Sequence, residues 1–212
     1  MARNLSLITE VKKGSSAAKA GLCIGDKVLA INSKSLRDVL DYQMAAAEPL
    51  LKFTVARQNQ IKEFTVVNNY TEPLGIKFAS SIFNKVKLCR NRCLFCFVDQ
   101  LPPGLRQSLY LKDDDYRLSF LYGNFITLTN LTAADLRRVL KLKLSPLYVS
   151  WQATTPAVRQ ALMRPAGTDK AASHLRALAQ GGIELHIQIV LCPGYNDGAE
   201  LEKSLQFLAG FK

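Results

Sequence analysis

Three of the five cysteines crowd into eight positions, Cys89-Arg90-Asn91-Arg92-Cys93-Leu94-Phe95-Cys96. Thiolates are soft ligands suited to zinc and to iron–sulfur clusters. Spaced by three and then two residues, these sulfurs can wrap one face of a [4Fe–4S] cubane and hold three of its irons. Most electron-transfer clusters take four cysteines, so three local ligands leave one iron open to an outside ligand. A structural zinc site is the competing reading. Zinc takes four ligands, usually as two pairs, and the further candidates are Cys192, Cys23, His174 and His186. Cys192 is a candidate fourth ligand for either centre.

Two other groups could do chemistry. Cys192 ends an apolar run beside Pro193-Gly194. A thiol at such a strand end can donate a hydrogen atom or hold a substrate covalently; the plainer alternative is a buried, inert cysteine. The run Asp113-Asp114-Asp115 either grips a cationic substrate or forms a solvated turn, the commoner fate of such runs. Cys23 reads as a small core residue.

The elements that must position these groups alternate between strand and helix patterns. A short apolar run, Ile82 to Leu88, leads into the cysteines. Phe125 to Thr129 is β-rich, and Thr132 caps a helix over 133–143. Leu147 to Trp151 is a strand, 156–163 and 169–179 are helical, and Gly181-Gly182 ends the second helix. Glu184 to Leu191 is a strand and 199–208 a last helix. Repeating β-α units predict a parallel sheet or barrel, and ligand sites on such folds sit at the C-terminal ends of the strands.

Residues before the connector 68–73 follow another pattern. Leu7 to Val11 is a strand and Lys13-Gly14-Ser15-Ser16 a turn, with Ser16 as N-cap of a one-turn helix that Gly21 ends. Gly25-Asp26 turns into the strand Lys27 to Ile31. A helix runs from about Leu36 to Ala47, and two strands, 51–57 and 61–67, close the segment. The proline-bearing connector marks a boundary, giving domains 1–70 and 71–212. The Gly21-Leu22-x-x-Gly25-Asp26 core followed by Val28-Leu29-x-Ile31-Asn32 resembles a bacterial PDZ domain. That resemblance implies a module that binds an extended peptide or protein tail along a sheet edge, or one that only packs within its own chain.

With 212 residues and 48% hydrophobic content, two domains each have material for a core. The net charge of +11 divides as +4 over 1–70 and +7 over 71–212. A spread excess of this kind describes a solvated surface rather than a nucleic-acid-binding face. No stretch approaches the ~20 apolar residues of a membrane span, and Met1 to Ser6 lacks the apolar core of a signal peptide. A cytoplasmic location follows, where clustered cysteines point to metal or catalysis rather than disulfides.

The match to a known family is longer than the cysteines. It runs through Cys93 to Pro102, Tyr110-x-Lys112 to Leu121, Gly123 to Leu131, and Leu191-Cys192-Pro193-Gly194-x-Asn196-Asp197-Gly198. These stretches resemble bacterial proteins that join a PDZ-like domain to a radical S-adenosylmethionine (SAM) domain, Fe–S oxidoreductases of unassigned substrate. The resemblance implies an α/β fold: a β-rich PDZ-like domain followed by a partial (β/α) barrel. It implies a [4Fe–4S] cluster on Cys89, Cys93 and Cys96, with SAM on the open iron. In such enzymes an electron from a donor such as flavodoxin or ferredoxin cleaves SAM and starts radical chemistry. The same resemblance puts Thr129 and Asn130 near the methionyl group, Ser150 and Gln152 near the ribose or carboxylate, and Asn196 near the adenosine. The family's usual Gly-Gly-Glu after the second strand is absent. About four β-α units fit before Lys212, fewer than a closed barrel uses, as in the front half of a longer member. The leading reading is thus a radical SAM enzyme. The alternative is a truncated non-catalytic protein with a peptide-binding PDZ domain and a structural zinc or Fe–S site.

Overall fold

The computed structural model describes residues 6–211. They fall into two compact units, Met1–Lys85 and Val86–Lys212.

In the first unit, β1 (Ile8–Val11) pairs antiparallel with β6 (Ile76–Phe78). A second sheet has the order β3 (Lys34–Ser35), β2 (Lys27–Ile31), β4 (Leu50–Arg57), β5 (Gln60–Val67), all antiparallel. The two hairpin turns sit at Asn32-Ser33 and Gln58-Asn59, all four with positive φ, as two-residue hairpins require. Alternate residues of β4, Leu51, Phe53 and Val55, are fully buried against Ile8, Ala17, Leu22, Val28, Ile31 and Val66.

The one-turn helix α1 (Ser16–Lys19) is capped by Ser15, not Ser16: the Ser15 hydroxyl accepts from the Ala18 N–H at 3.2 Å. Helix α2 (Val39–Ala45) is shorter than its pattern predicts. Buried Asp38 caps it by accepting from the Leu40 and Asp41 N–H groups.

The Gly-Asp turn has an electrostatic reason. Asp26 is buried and takes a two-pronged contact from Arg57, Nε to Oδ1 at 2.6 Å and Nη2 to Oδ2 at 2.7 Å. The same guanidinium bonds the Gly21 carbonyl and lies over the Phe64 ring. Burial raises the Asp26 pKa, but the Arg57 hydrogen bond, the Cys23 N–H and the Arg57 charge outweigh it and hold the carboxyl below its usual value. Cys23 is exposed rather than a core residue, because Leu22 beside it fills the core.

In the second unit, β7 (Leu147–Ser150) and β8 (Leu185–Gln188) pair in parallel, Leu147 opposite Leu185 through Ser150 opposite Gln188. Between them run α5 (Pro156–Met163) and α6 (Ala171–Gln180), the helical crossover that parallel strands need. The β-rich stretch 125–129 contributes a single parallel bridge, Ile126 to Val149. Helix α3 (Tyr116–Tyr122) is capped by Asp115, α4 (Ala133–Leu142) by the Thr132/Asp135 capping box, and α7 (Gly198–Ala209) follows β8. Trp151, Leu147, Val149, Leu162, Leu175 and Leu178 are among the fully buried side chains.

The expected strand 82–88 does not form as one strand. Ile82 bridges to Asp38, and Leu88 bridges antiparallel to Asp113. The backbone of 87–89 is spent on 112–114: Cys89 N–H bonds the Lys112 carbonyl and Asp114 N–H the Lys87 carbonyl.

Candidate functional site

The cysteine segment is held by backbone bonds to the end of a helix. The Arg92 and Leu94 N–H groups bond the carbonyls of Met163 and Leu162, at 3.0 and 2.9 Å, where α5 stops. Cys93 and Phe95 pack on buried Ala153, Leu162 and Met163, and the Cys93 thiol approaches the Met163 carbonyl at 3.7 Å. The Cys96 N–H turns back to the Cys93 carbonyl. Lys112 braces the same loop, donating to the Asn91 carbonyl at 2.9 Å and pairing with Asp99 at 2.5 Å.

All three thiols are half-buried. Burial, the charge of Asp114 and the nearby Cys96 push Cys89 up to about 11, against the lowering pull of the Asn91 backbone and Lys112. Burial and then the charges of Cys89 and Cys96 push Cys93 up to about 12. Cys89 and Cys93 thus both stand within electrostatic reach of Cys96. Burial alone would lower Lys112, but Asp99 and Cys96 beside it raise its pKa. The pair is therefore a fixed cation and anion at the third cysteine.

Among the described residues, no group of three or more His, Cys, Asp or Glu side chains is arranged to hold a metal ion. The histidines have other partners. His174 Nδ1 lies 3.1 Å from the Leu128 carbonyl, and His186 stacks on Tyr148.

Thr129 and Asn130 stand at the cysteine segment. The Thr129 hydroxyl donates to Asn91 Oδ1 at 3.0 Å, and Asn130 Nδ2 donates to the Leu88 carbonyl at 3.2 Å. With Lys87, Arg90, Asn91 and Thr132 they line a cleft of about 730 Å³. Behind it, Thr129 Oγ1 touches Thr127 Oγ1, and Thr127 bonds Asp114 through both its N–H and its hydroxyl. Burial raises Asp114 to about 6 against those two bonds. Asp115 is also buried, fixed by Arg117 and the Lys87 N–H. The acidic run is therefore neither a solvated turn nor an open cation grip: each carboxylate has a structural partner, Asn124 in the case of Asp113.

Gln152, Asn196 and Cys192 form a second group. Asn196 Nδ2 donates to the Gln152 and Val190 carbonyls at 2.7 and 2.9 Å, and its Oδ1 accepts from the Cys192 N–H at 2.6 Å. Gln152 Oε1 accepts from the Val190 N–H at 2.7 Å. Both side chains are buried, and their amides fasten the loop that carries Cys192. That thiol is half-buried, with its pKa raised by burial, and packs on the same Ala153–Leu162–Met163 patch as Cys93. Ser150 ends β7, its N–H bonded to the Ile126 carbonyl.

Asn91, Lys112 and Asp99 were not singled out from the sequence. Asn91 had one available signal, a small amide between two candidate ligands. The roles of Lys112 and Asp99 depend on a contact thirteen residues apart, which no local pattern shows.

Comparison with known families agrees with this arrangement of a β-rich module followed by an α/β unit. The model of a radical SAM-like domain matches residues 68–212, and that of a PDZ domain matches residues 7–57. The chain belongs to the radical SAM-like domain family, and it carries a PDZ domain at its N-terminal side. A search of curated proteins finds no match. No helix among the described residues is long and apolar enough to cross a membrane.

Proposed function

We propose that the protein is a SAM-dependent radical enzyme whose [4Fe–4S] cluster is held by Cys89, Cys93 and Cys96. The observation that carries this reading is the trio of half-buried thiols on one helix-anchored segment, each within electrostatic reach of another. The donor chemistry fits the group: three soft sulfurs repel as thiolates, and bound iron relieves that repulsion. When bound, the cluster supplies the electron that cleaves SAM, delivered by a low-potential donor such as flavodoxin or ferredoxin.

The chain's own residues have assignable parts. Lys112 and Asp99 hold the segment's shape and place a cation and an anion beside Cys96. Thr129 and Asn130 form the wall of the adjoining cleft and are proposed to meet the methionyl group. Ser150, Gln152 and Asn196 are proposed for the nucleoside side, with Asn196 acting through the loop it fastens. Cys192, beside Cys93 on one apolar patch, is the candidate hydrogen-atom donor. The PDZ domain is proposed to take a peptide tail beside β6, where a cavity of about 690 Å³ is bordered by Tyr42, Ala46, Leu74 and Ile76.

Anaerobic reconstitution tests the reading. About four irons per chain are expected, with an EPR signal of the reduced cluster that SAM perturbs. A colourless protein that takes up only zinc would refute it and favour the non-catalytic alternative with a structural metal.

A further inference from the structure

Arg159 is 4% exposed and its guanidinium is only partly satisfied. Nε pairs with Asp169 at 2.7 Å, Nη1 donates to the Ala153 carbonyl at 3.2 Å, and the group lies 4.3 Å over the Trp151 ring. Nη2 is buried and has no partner. Asp169 does not reach it: its Oδ2 takes Nε and its Oδ1 accepts from the Ala171 N–H at 2.9 Å. A buried donor left unmet costs about 1–3 kcal/mol, more on a charged group, so something other than this chain is expected to meet it.

Arg159 lines a cavity of about 380 Å³ with Thr154, Ala157, Thr168, Asp169 and Ala172. The cavity lies just past the C-terminal end of β7, between the first turns of α5 and α6. Neither helix has a capping hydrogen bond from its N-cap side chain: Thr155 is turned to Glu200, and the other position is Lys170. First-turn N–H groups have no acceptor within their own helix. Pro156 has no N–H to offer and the Ala171 N–H is taken by Asp169, which leaves those of the following residues. Each helix adds about half a positive charge at that end. Two helix N-termini and a guanidinium therefore meet at the cavity; its lining includes the carboxylate of Asp169, and a second carboxylate, Glu200, accepts from the Thr154 and Thr155 N–H groups.

We propose that this cavity is a binding site for a small anion, the phosphate of a phosphate ester or a carboxylate, taken by Arg159 Nη2 and the first-turn N–H groups. It shares Gly167 and Thr168 with the cleft at the cysteine segment, but its lining includes no cysteine, so binding there does not need the cluster. Arg159 there both braces the fold, through Asp169 and Trp151, and presents one free edge of its fork to the ligand.

Trp151 is the chain's single tryptophan and stacks on Arg159, so its fluorescence reports the site directly. The full chain is titrated with inorganic phosphate, and separately with acetate, at constant ionic strength in chloride. A saturable change with Kd of about 1 mM or tighter is expected from one of the two anions, and which one assigns the class. Arg159→Lys keeps the charge, loses the fork, and is expected to weaken binding at least tenfold. Because Arg159 also braces the core, Ala157→Asp is the second variant. It puts a carboxylate at the exposed mouth on a first turn, where acids are tolerated, and is expected to cut affinity at least tenfold without lowering the melting temperature. No saturable change with either anion, or a change that Ala157→Asp leaves intact, would overturn the proposal.

Discussion

The two units treat buried polarity differently. In the first, among the described residues, every buried side-chain nitrogen and oxygen finds a partner, and the one deeply buried carboxylate of a turn, Asp26, is matched by a two-pronged arginine. In the second, Asn91 Nδ2, Arg159 Nη2 and, on α7, Ser204 Oγ are buried without partners. Asn91 sits inside the cysteine segment, and Arg159 borders a cavity. Native folds leave few such atoms, and those that remain concentrate where a ligand completes the site. The first unit is thus finished as a fold, whereas the second keeps unspent hydrogen-bonding capacity, at Asn91 within its cysteine segment and at Arg159 on its cavity.

The sharpest way to separate the two is at the cysteines. Cys93→Ala is expected to drop iron from about four per chain to below one after reconstitution, while amide exchange at Val28 and Val55 in the first unit stays unchanged. Retained iron would show that the segment does not hold the cluster.

The reverse experiment is Asp26→Ala. It strips Arg57 of its partner and is expected to cost the first unit about 3 kcal/mol, read from the same amides, with iron content untouched.

Asn196→Ala should have a smaller effect, about 1–3 kcal/mol for the lost buried bonds, confined to the second unit. Its more telling readout is chemical: alkylation of Cys192 by iodoacetamide is expected to speed up several-fold as its loop loosens. Unchanged reactivity would mean that the amide does not hold the thiol. Cys192→Ala, in turn, is expected to leave iron content as it is, since Cys192 is proposed as a hydrogen-atom donor and not a ligand.

The smallest effect is one of pH. Asp26 has a folded pKa below its ordinary value, despite burial, because of Arg57 and the Cys23 N–H. Its contribution to stability is therefore full above the unfolded value of about 4. It is lost as pH falls through the depressed folded value. Asp26→Asn is expected to flatten the acid limb of the first unit's stability curve; an unaltered limb would assign that limb to other carboxylates.

Much of the candidate site was legible without coordinates. The three cysteines read as a metal-binding segment by type and spacing, a reading that remains a proposal, and Gly-Leu-x-x-Gly-Asp declares the PDZ turn, because turn chemistry is a local property of the chain. Thr132 caps its helix as its place ahead of the helical pattern predicts, and Asp135 completes the capping box. Where local signals were nearly degenerate they misled: Ser15 and Ser16 are both competent caps, and only the approach of the Ala18 N–H distinguishes them.

Tertiary structure alone decided the rest, since burial and pairing depend on what arrives from elsewhere in the chain. Three consecutive aspartates read as solvated, yet Asp114 and Asp115 are buried because Thr127 and Arg117 meet them there. The apolar run before Cys89 read as a strand, yet its end spends its backbone on 112–114. Asn196 carries the same amide in any fold; it fastens the Cys192 loop only because Gln152, forty-four residues away, places a carbonyl 2.7 Å from its nitrogen.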